Sequence, residues 1–283
     1  MLRLWLSFIR HAPSGQNTLT KVVGAMIPYV RRQHILAELE KKELVYLHEL
    51  CERFPSISEA TIRRDLKALE EEGFIEVLRG GAAKLRTFAY EIPLETKERL
   101  YTAEKERIAR YAASLVEDGE IIYIDSGTTT LRMVKYLLDK PITVVTSNTQ
   151  VFSSLTAECA FTCLFLGGEV SPMLGSVAGP LTESQLSQLF FDRAFLGGSG
   201  YTAKSGINTP DLREANKKRL VAEHSKKTYV LMDSSKANKQ TLCKALDFSE
   251  CTIITDRENE ILKAYASFIV APANLGDDMA ANE

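Results

Sequence analysis

The chain has 283 residues, of which 45% are hydrophobic and 25% charged, as in a globular protein large enough for two domains. Its 35 lysines and arginines nearly balance its 37 aspartates and glutamates, so overall charge does not indicate a nucleic-acid partner. No apolar run approaches the roughly 18 residues of a membrane span, and the five cysteines form no CxxC pair, so we expect a reduced, cytoplasmic protein with no cofactor and no metal.

The first 27 residues show no sustained hydrophobic period and contain Pro13, Ser14 and Gly15. We therefore predict that residues 1–27 form a disordered extension, and translation that begins at Met26 would explain the same pattern. A short helix over residues 2–10 is the alternative, since that stretch has an apolar patch.

Three short helices are predicted at the start of the ordered chain. Apolar side chains recur there at helical spacing in three groups: Ile35, Leu36 and Leu39; Leu47, Leu50, Cys51 and Phe54; and Ile62, Leu66 and Leu69. Pro55 ends the second helix, and the Ser58 hydroxyl can cap the third by accepting a backbone hydrogen bond. The turn between these two helices is therefore only about four residues long, as in a helix-turn-helix.

The third helix carries its basic side chains away from its apolar stripe. At about 100° per residue, Arg63, Arg64 and Lys67 fan out on the side opposite Ile62 and Leu66. The planar arginine group suits both phosphates and guanine edges. For the two arginines taken alone, a solvent-exposed helix face without a partner is the alternative. The elements around this helix are therefore needed to distinguish it from a DNA-binding face.

A hairpin after the third helix supports DNA binding. Gly80-Gly81 lies between two short apolar stretches, and glycine allows the positive φ that such turns need. Three helices followed by a hairpin predict a winged helix-turn-helix over residues 28–87. The predicted DNA-binding residues are Ser58, Thr61, Arg63, Arg64, Lys67, Arg79 and Lys84.

Two motifs in this region resemble a known family. Residues 58–66, SEATIRRDL, and residues 79–82, RGGA, match the recognition helix and the wing of the DeoR-type family of bacterial repressors. The resemblance extends over residues 31–86 and implies a DNA-binding domain of that family. Asp65 lies at the edge of the apolar stripe, so we predict that it forms a structural ion pair and does not contact DNA.

An α/β domain is predicted after a linker at residues 88–100, which mixes charges with Pro93 and has no clean period. A helix that ends at Gly119 comes first. Six apolar strands follow at 120–125, 142–147, 161–167, 193–198, 228–233 and 251–256. Their continuous apolar character predicts burial on both faces and a mostly parallel sheet covered by helices. We assign this domain to residues 101–270 and a flexible tail to residues 271–283.

Polar and glycine-rich segments follow the predicted strands, at the edge where parallel sheets bind ligands. DSGTTT at 125–130 leads from a strand into a helix predicted to contain Leu131, Val134 and Leu137, a junction that can bind an anion. No GxGxxG motif or P-loop lysine is present, so a nucleotide is not indicated. Hydroxyl groups at several strand ends instead make a polyol phosphate plausible.

The same region resembles the effector domain of the DeoR-type family over residues 100–256, a domain related in fold to ribose-5-phosphate isomerases and CoA-transferases. Family members sense phosphorylated sugars, and the resemblance implies the same here. The predicted effector-binding residues are Asp125, Ser126, Gly127, Thr128, Thr129, Thr130, Ser147, Asn148, Gly168, Gly198, Glu214, Lys218 and Lys236.

These features predict a transcriptional regulator, by family preference a repressor of a carbohydrate-utilisation operon, that a phosphorylated sugar releases from operator DNA. A homodimer or homotetramer is expected, because one winged domain specifies too few base pairs. One alternative is a sugar-phosphate isomerase in which Glu214 is the base, although the segment Leu196-Gly197-Gly198 lacks the carboxylate that such enzymes use. A nucleic-acid adaptor without a sensor ligand is a weaker alternative.

Overall fold

The structure is a computed structural model that describes residues 28–42, 44–71, 74–85 and 94–273. Its contacts divide the chain into two compact units, Met1–Leu85 and Arg86–Glu283. The predicted extension at residues 1–27 lies outside the described residues, as do residues 88–93 of the predicted linker and residues 274–283 of the predicted tail.

The first unit is a winged helix-turn-helix, as predicted. Its elements are α1 (Pro28–Lys41), β1 (Val45–Tyr46), α2 (Leu47–Arg53), α3 (Glu59–Glu71), β2 (Ile75–Leu78) and β3 (Ala82–Leu85). The strands form an antiparallel sheet in the order β1-β3-β2, of which β1 was not predicted. The glycine hairpin is confirmed, since Gly80 and Gly81 have φ of 93° and 81° between β2 and β3.

The predicted apolar groups form the core of this unit. Ile35, Leu50, Ile62 and Leu69 are among its fully buried side chains. The ion-pair prediction for Asp65 is also confirmed: Asp65 is buried on α3 and accepts hydrogen bonds from Arg31 of α1, with Nη2 to Oδ1 at 3.0 Å. This pair and the core fix the orientation of α3.

The second unit is an α/β domain built on a seven-stranded sheet. Its helices are α4 (Leu94–Arg99), α5 (Thr102–Ser114), α6 (Thr128–Leu131), α7 (Pro180–Leu186), α8 (Leu212–Glu223) and α9 (Glu260–Tyr265). The sheet strands are β4 (Ile121–Ile124), β5 (Thr143–Thr146), β6 (Thr162–Phe165), β9 (Phe191–Gly197), β12 (Ser225–Leu231), β14 (Thr252–Thr255) and β15 (Ser267–Val270). Five further strands lie outside it: β7 (Glu169–Ser171), β8 (Ser176–Ala178), β10 (Gly200–Thr202), β11 (Gly206–Thr209) and β13 (Cys243–Leu246).

All pairings in the large sheet are parallel, in the order β15-β14-β12-β9-β4-β5-β6. The six predicted strands are confirmed, and β15 is an addition. Burial on both faces is wrong for β6, whose Leu164 and Phe165 are 46% and 44% exposed, because this strand is at the edge of the sheet. The antiparallel sheets β10-β11-β13 and β7-β8 were not predicted.

Two helical predictions need correction. The helix expected after Asp125 is only the single turn of α6, followed by a 3₁₀ turn at Val134–Tyr136. Residues 94–99, placed in the linker, form α4, and Leu94 is buried. No helix among the described residues is long and apolar enough to cross a membrane.

Candidate functional site

The exposed face of α3 carries the predicted DNA-binding residues of this helix. Ser58 caps the helix by accepting from the Thr61 N–H at 3.2 Å, and the two hydroxyls share a hydrogen bond of 2.8 Å. Arg63, Arg64 and Lys67 are exposed on the side away from the core, as predicted. On the hairpin, Arg79 is exposed and Lys84 is half-buried. We call these seven residues the recognition surface.

The cations of the recognition surface differ in their partners. Arg63 pairs with Glu59 at 2.8 Å, Lys67 with Glu71 at 3.6 Å and Lys84 with Glu76 at 3.1 Å. Exposed pairs of this kind contribute at most about 1 kcal/mol, so a phosphate can displace the acid. Arg64 and Arg79 have no acidic partner within the described part of the chain and are available without exchange.

The second unit has an open cleft where the strand order reverses between β4 and β9. The chain runs outward from β4 to β6 and then returns to β9 on the other side, so the loops after β4 and β9 diverge. The cleft contains about 720 Å³ of empty space, its mouth included. Nine of the predicted effector-binding residues line it: Ser126, Gly127, Thr128, Thr129, Thr130, Gly198, Glu214, Lys218 and Lys236.

The other four predicted residues lie outside the lining of the cleft. Asp125 is fully buried and accepts from the Gly197 N–H at 2.9 Å. Ser147 shares hydrogen bonds with Tyr123 and with Ser126, at 2.9 and 3.1 Å.

The last two of these four residues support loops. The Asn148 side chain donates to the backbone carbonyl of Asp125 at 3.3 Å. Gly168 has a φ of 151°, and a Cβ there would lie 2.1 Å from Thr182 Oγ1, so the turn requires glycine.

Two buried lysines and two buried acids form a chain of alternating charge beside the cleft. Lys218 forms ion pairs with Asp125 and, at 3.6 Å, with Glu214. Glu214 Oε1 accepts from Lys217 Nζ at 2.8 Å and from Ser176 Oγ at 2.7 Å. The two positive and two negative groups balance, and each lies next to a group of opposite charge, as buried charges require.

The pKa values of the central pair shift in opposite directions. Burial raises the pKa of Asp125, but the attraction of Lys218 and Lys217 outweighs it, and the net pKa is lowered. Burial lowers the pKa of Lys218, but attraction by Asp125 and Glu214 outweighs it, and the net pKa is raised. At neutral pH Lys218 is therefore a permanent cation at the cleft wall.

Asp233 lines the cleft and has an unsatisfied acceptor. Its Oδ1 accepts from the Ser235 N–H at 3.1 Å, whereas its buried Oδ2 has no hydrogen-bond partner among the described residues. An unsatisfied buried acceptor costs about 1–3 kcal/mol. A ligand hydroxyl that donates to Oδ2 would remove this cost.

Sequence reasoning missed several residues that line the cleft. Lys97 of α4 and Lys105 of α5 add cations, and Met173 and Leu174 of the β7–β8 loop add apolar surface. None follows a strand of the large sheet, so the strand-end rule could not find them. Asp233 could have been found by that rule, because it comes two residues after β12.

Comparison with known proteins identifies both units. Residues 31–87 match the DeoR-like helix-turn-helix domain, and residues 101–257 match the DeoR C-terminal sensor domain. The chain is 37% identical over 238 residues to the HTH-type transcriptional regulator FruR of Bacillus subtilis, an alignment that covers 83% of this chain and 94% of FruR. It is 31% identical over 242 residues to the lactose phosphotransferase system repressor of Staphylococcus epidermidis, with 84% and 95% covered.

Solved structures resemble the chain more distantly. Ribose 5-phosphate isomerase A of Methanocaldococcus jannaschii is 17% identical with a TM-score of 0.35, over 48% of this chain and 54% of that one. The translation initiation factor eIF-2B of Pyrococcus horikoshii OT3 is 13% identical with a TM-score of 0.38, over 87% and 83%.

The two matched domains follow the order of the two structural units, and the curated relatives are covered almost end to end. The resemblance inferred from residues 58–66 and 79–82 is thus confirmed. The chain belongs to the DeoR family of DNA-binding transcriptional regulators.

Proposed function

We propose that this regulator represses genes of carbohydrate utilisation and leaves its operator when a phosphorylated sugar binds in the cleft. The observation that carries this proposal is the composition of the cleft, where lysine cations and the hydroxyls of Thr128 and Thr129 lie with Asp233 Oδ2, an acceptor that has no hydrogen-bond partner among the described residues. The name of one relative supports the physiological setting, since it is a lactose phosphotransferase system repressor.

The loop of residues 126–130 suits the phosphate end of such a ligand. Thr130 Oγ1 donates to the carbonyls of Asp125 and Gly127, at 2.8 and 3.0 Å, and so holds the loop in shape. The hydroxyls of Thr128 and Thr129 have no hydrogen-bond partner among the described residues and line the cleft. With Lys218 nearby in the lining, they offer the donors and the charge that a phosphate group needs.

The sugar end of the ligand would lie against the acidic groups. Asp233 Oδ2 accepts hydrogen bonds but cannot donate them while ionised, so it favours a ligand with hydroxyl groups. A simple anion satisfies the cations and leaves this oxygen unpaired. The cleft should therefore prefer a phosphorylated polyol or sugar to inorganic phosphate.

An isomerase is the second candidate, and Glu214 argues against it. Its Oε1 accepts from Lys217 and Ser176, and its Oε2 lies 3.6 Å from Lys218 Nζ. To take a proton from a substrate carbon, this carboxylate would have to give up contacts with cations that stabilise its charged form. We therefore assign Glu214 to positioning.

Thermal melting of the full chain with a panel of phosphorylated sugars tests the proposal. A ligand at 100 times its Kd adds about 2.7 kcal/mol of stability, and the matching unphosphorylated sugar should add none. The same mixtures, assayed for isomerised product, test the enzyme alternative. If no phosphorylated sugar stabilises the protein, or if one is turned over, the proposal is wrong.

Thr129→Ala tests the location of the phosphate. Loss of a charge-assisted hydrogen bond of about 1.5–3 kcal/mol should weaken effector binding by at least tenfold, while operator binding without effector stays unchanged. Thr162→Ala, on the exposed edge strand β6, is the control and should respond as the wild type does. Gel-shift titration with effector measures both variants, and normal release from DNA by Thr129→Ala would place the phosphate elsewhere.

A further inference from the structure

Lys105 connects the cleft to α4, a helix that lies outside the strand-end loops of the large sheet. This lysine of α5 is only 2% exposed, and it lines the cleft. Its Nζ donates to the backbone carbonyl of Lys97, close to the end of α4. A buried ammonium group is thus shared between a ligand cleft and the C-terminal end of a short helix.

Helix α4 is held at both of its ends by hydrogen bonds to other parts of the second unit. At its start, the Leu94 N–H donates to the Met173 carbonyl at 3.1 Å, and at its end Arg132 Nη2 donates to the Glu98 carbonyl at 3.1 Å. With only six residues, α4 has little internal stability, so these contacts and the bond from Lys105 maintain it. Both Lys105 and Arg132 donate to backbone carbonyls near the end of α4, but only Lys105 of these two lines the cleft.

Helix α4 lies in sequence between the DNA-binding domain and the sensor domain. It lies between the segments that match the helix-turn-helix and sensor domains, residues 31–87 and 101–257. It is also the first described element of the second unit, which begins at Arg86 directly after the DNA-binding unit. A change in α4 therefore occurs next to the connection to the DNA-binding unit.

We propose that Lys105 transmits occupancy of the cleft to α4: an anionic effector attracts the Lys105 ammonium away from the Lys97 carbonyl, and the end of α4 loosens. The inference rests on the proposed function for the anionic character of the effector. The direction follows from bond strength, because an ammonium group binds an anionic oxygen more strongly than a neutral carbonyl oxygen.

Hydrogen–deuterium exchange of the full chain tests this relay, with inorganic phosphate and the stabilising sugar phosphate as probes and chloride as the ionic-strength control. In the wild type, the backbone amides at the end of α4 should exchange at least about tenfold faster with saturating probe. In Lys105→Met these amides should exchange fast from the start and no longer respond to the probe.

Arg132→Met is the matched control. It also removes a cation from a carbonyl at the end of α4, but from a position outside the cleft, so exchange should rise and still respond to the probe. Lys105→Arg, which keeps the cation, should restore the response, and it keeps the test valid if Lys105→Met does not fold.

The outcomes separate this inference from the proposed function. A probe that stabilises the wild type without changing exchange in α4, or a Lys105→Met variant that responds as the wild type does, overturns the relay alone. Failure of every phosphorylated probe to stabilise the protein overturns both.

Discussion

The buried charges of the sensor unit make its stability sensitive to single substitutions. Asp125 is fully buried, and Lys218 is its only ion-pair partner among the described residues. Such a pair contributes little compared with a well-packed apolar pair, but loss of one partner leaves the other as an isolated buried charge. The loss of folding free energy on substitution is therefore large when the substitution leaves a buried charge without a partner.

Asp125→Asn should destabilise the sensor unit by about 3–5 kcal/mol, because two buried lysines then share the single buried acid Glu214 and one positive charge is left uncompensated. Glu258→Gln is the control, since its pair with Lys263 at 2.8 Å is exposed, and it should cost less than about 1 kcal/mol. Urea unfolding measures both variants. Equal losses in the two would show that Asp125 is not a buried ion-pair partner.

The lowered pKa of Asp125 also fixes the sign of a pH effect. The stabilisation is complete above the unfolded pKa of about 3.9 and is lost as the pH falls below it, through the folded pKa. The wild type should thus lose stability in acid more steeply than Asp125→Asn, with no difference in slope between pH 6 and 8. Unfolding measured across this range checks the prediction, and parallel acid limbs would contradict it.

Arg64 is the recognition-surface residue whose loss should be easiest to interpret. Arg64→Ala should weaken operator binding by about 1–3 kcal/mol if the side chain binds a base, or reduce the salt slope by about 0.9 if it binds a phosphate. Arg53→Ala, on the exposed side of α2 where it pairs with Glu38 at 3.5 Å, is the control. Unchanged affinity and salt slope for Arg64→Ala would remove it from the recognition surface.

Continuous apolar sequence predicted six of the seven strands of the large sheet, all except β15, and apolar side chains at helical spacing predicted α3. The strands β7 and β8 have only three residues each and contain no continuous apolar run, so no local pattern marks them. The loop at 126–130 was predictable because the carboxyl ends of parallel strands share one edge. Lys97 and Lys105 were not, because they reach the cleft through helix packing that no local pattern encodes.

The requirement for glycine in the turn before β7 can be tested by substitution. In Gly168→Ala the added Cβ lies 2.1 Å from Thr182 Oγ1 and 2.8 Å from the Ala178 carbonyl oxygen. Gly119 also has a positive φ, of 83°, but a Cβ added there has nothing within 4 Å. Gly119→Ala should cost about 1 kcal/mol from backbone strain alone, and Gly168→Ala should cost clearly more. Urea unfolding compares them, and equal costs would mean that the β7–β8 hairpin adjusts freely.

At the scale of the whole molecule, one recognition surface specifies too few base pairs to select a genomic site. We therefore expect a homo-oligomer that binds paired half-sites separated by whole turns of DNA, about 10.5 base pairs or a multiple. Light scattering and footprinting on DNA selected from a random pool check this. A monomer that protects one half-site with full affinity would contradict it.

The order of strands in the large sheet also has a consequence for synthesis. The DNA-binding unit is complete once Leu85 has emerged from the ribosome, and β4 with its loop follows, but the opposite side of the cleft waits for β9, β12 and Lys236. Domains generally fold in the order in which they are made. The DNA-binding unit can therefore fold before the cleft exists, and control by an effector begins only once the chain has been made as far as Lys236.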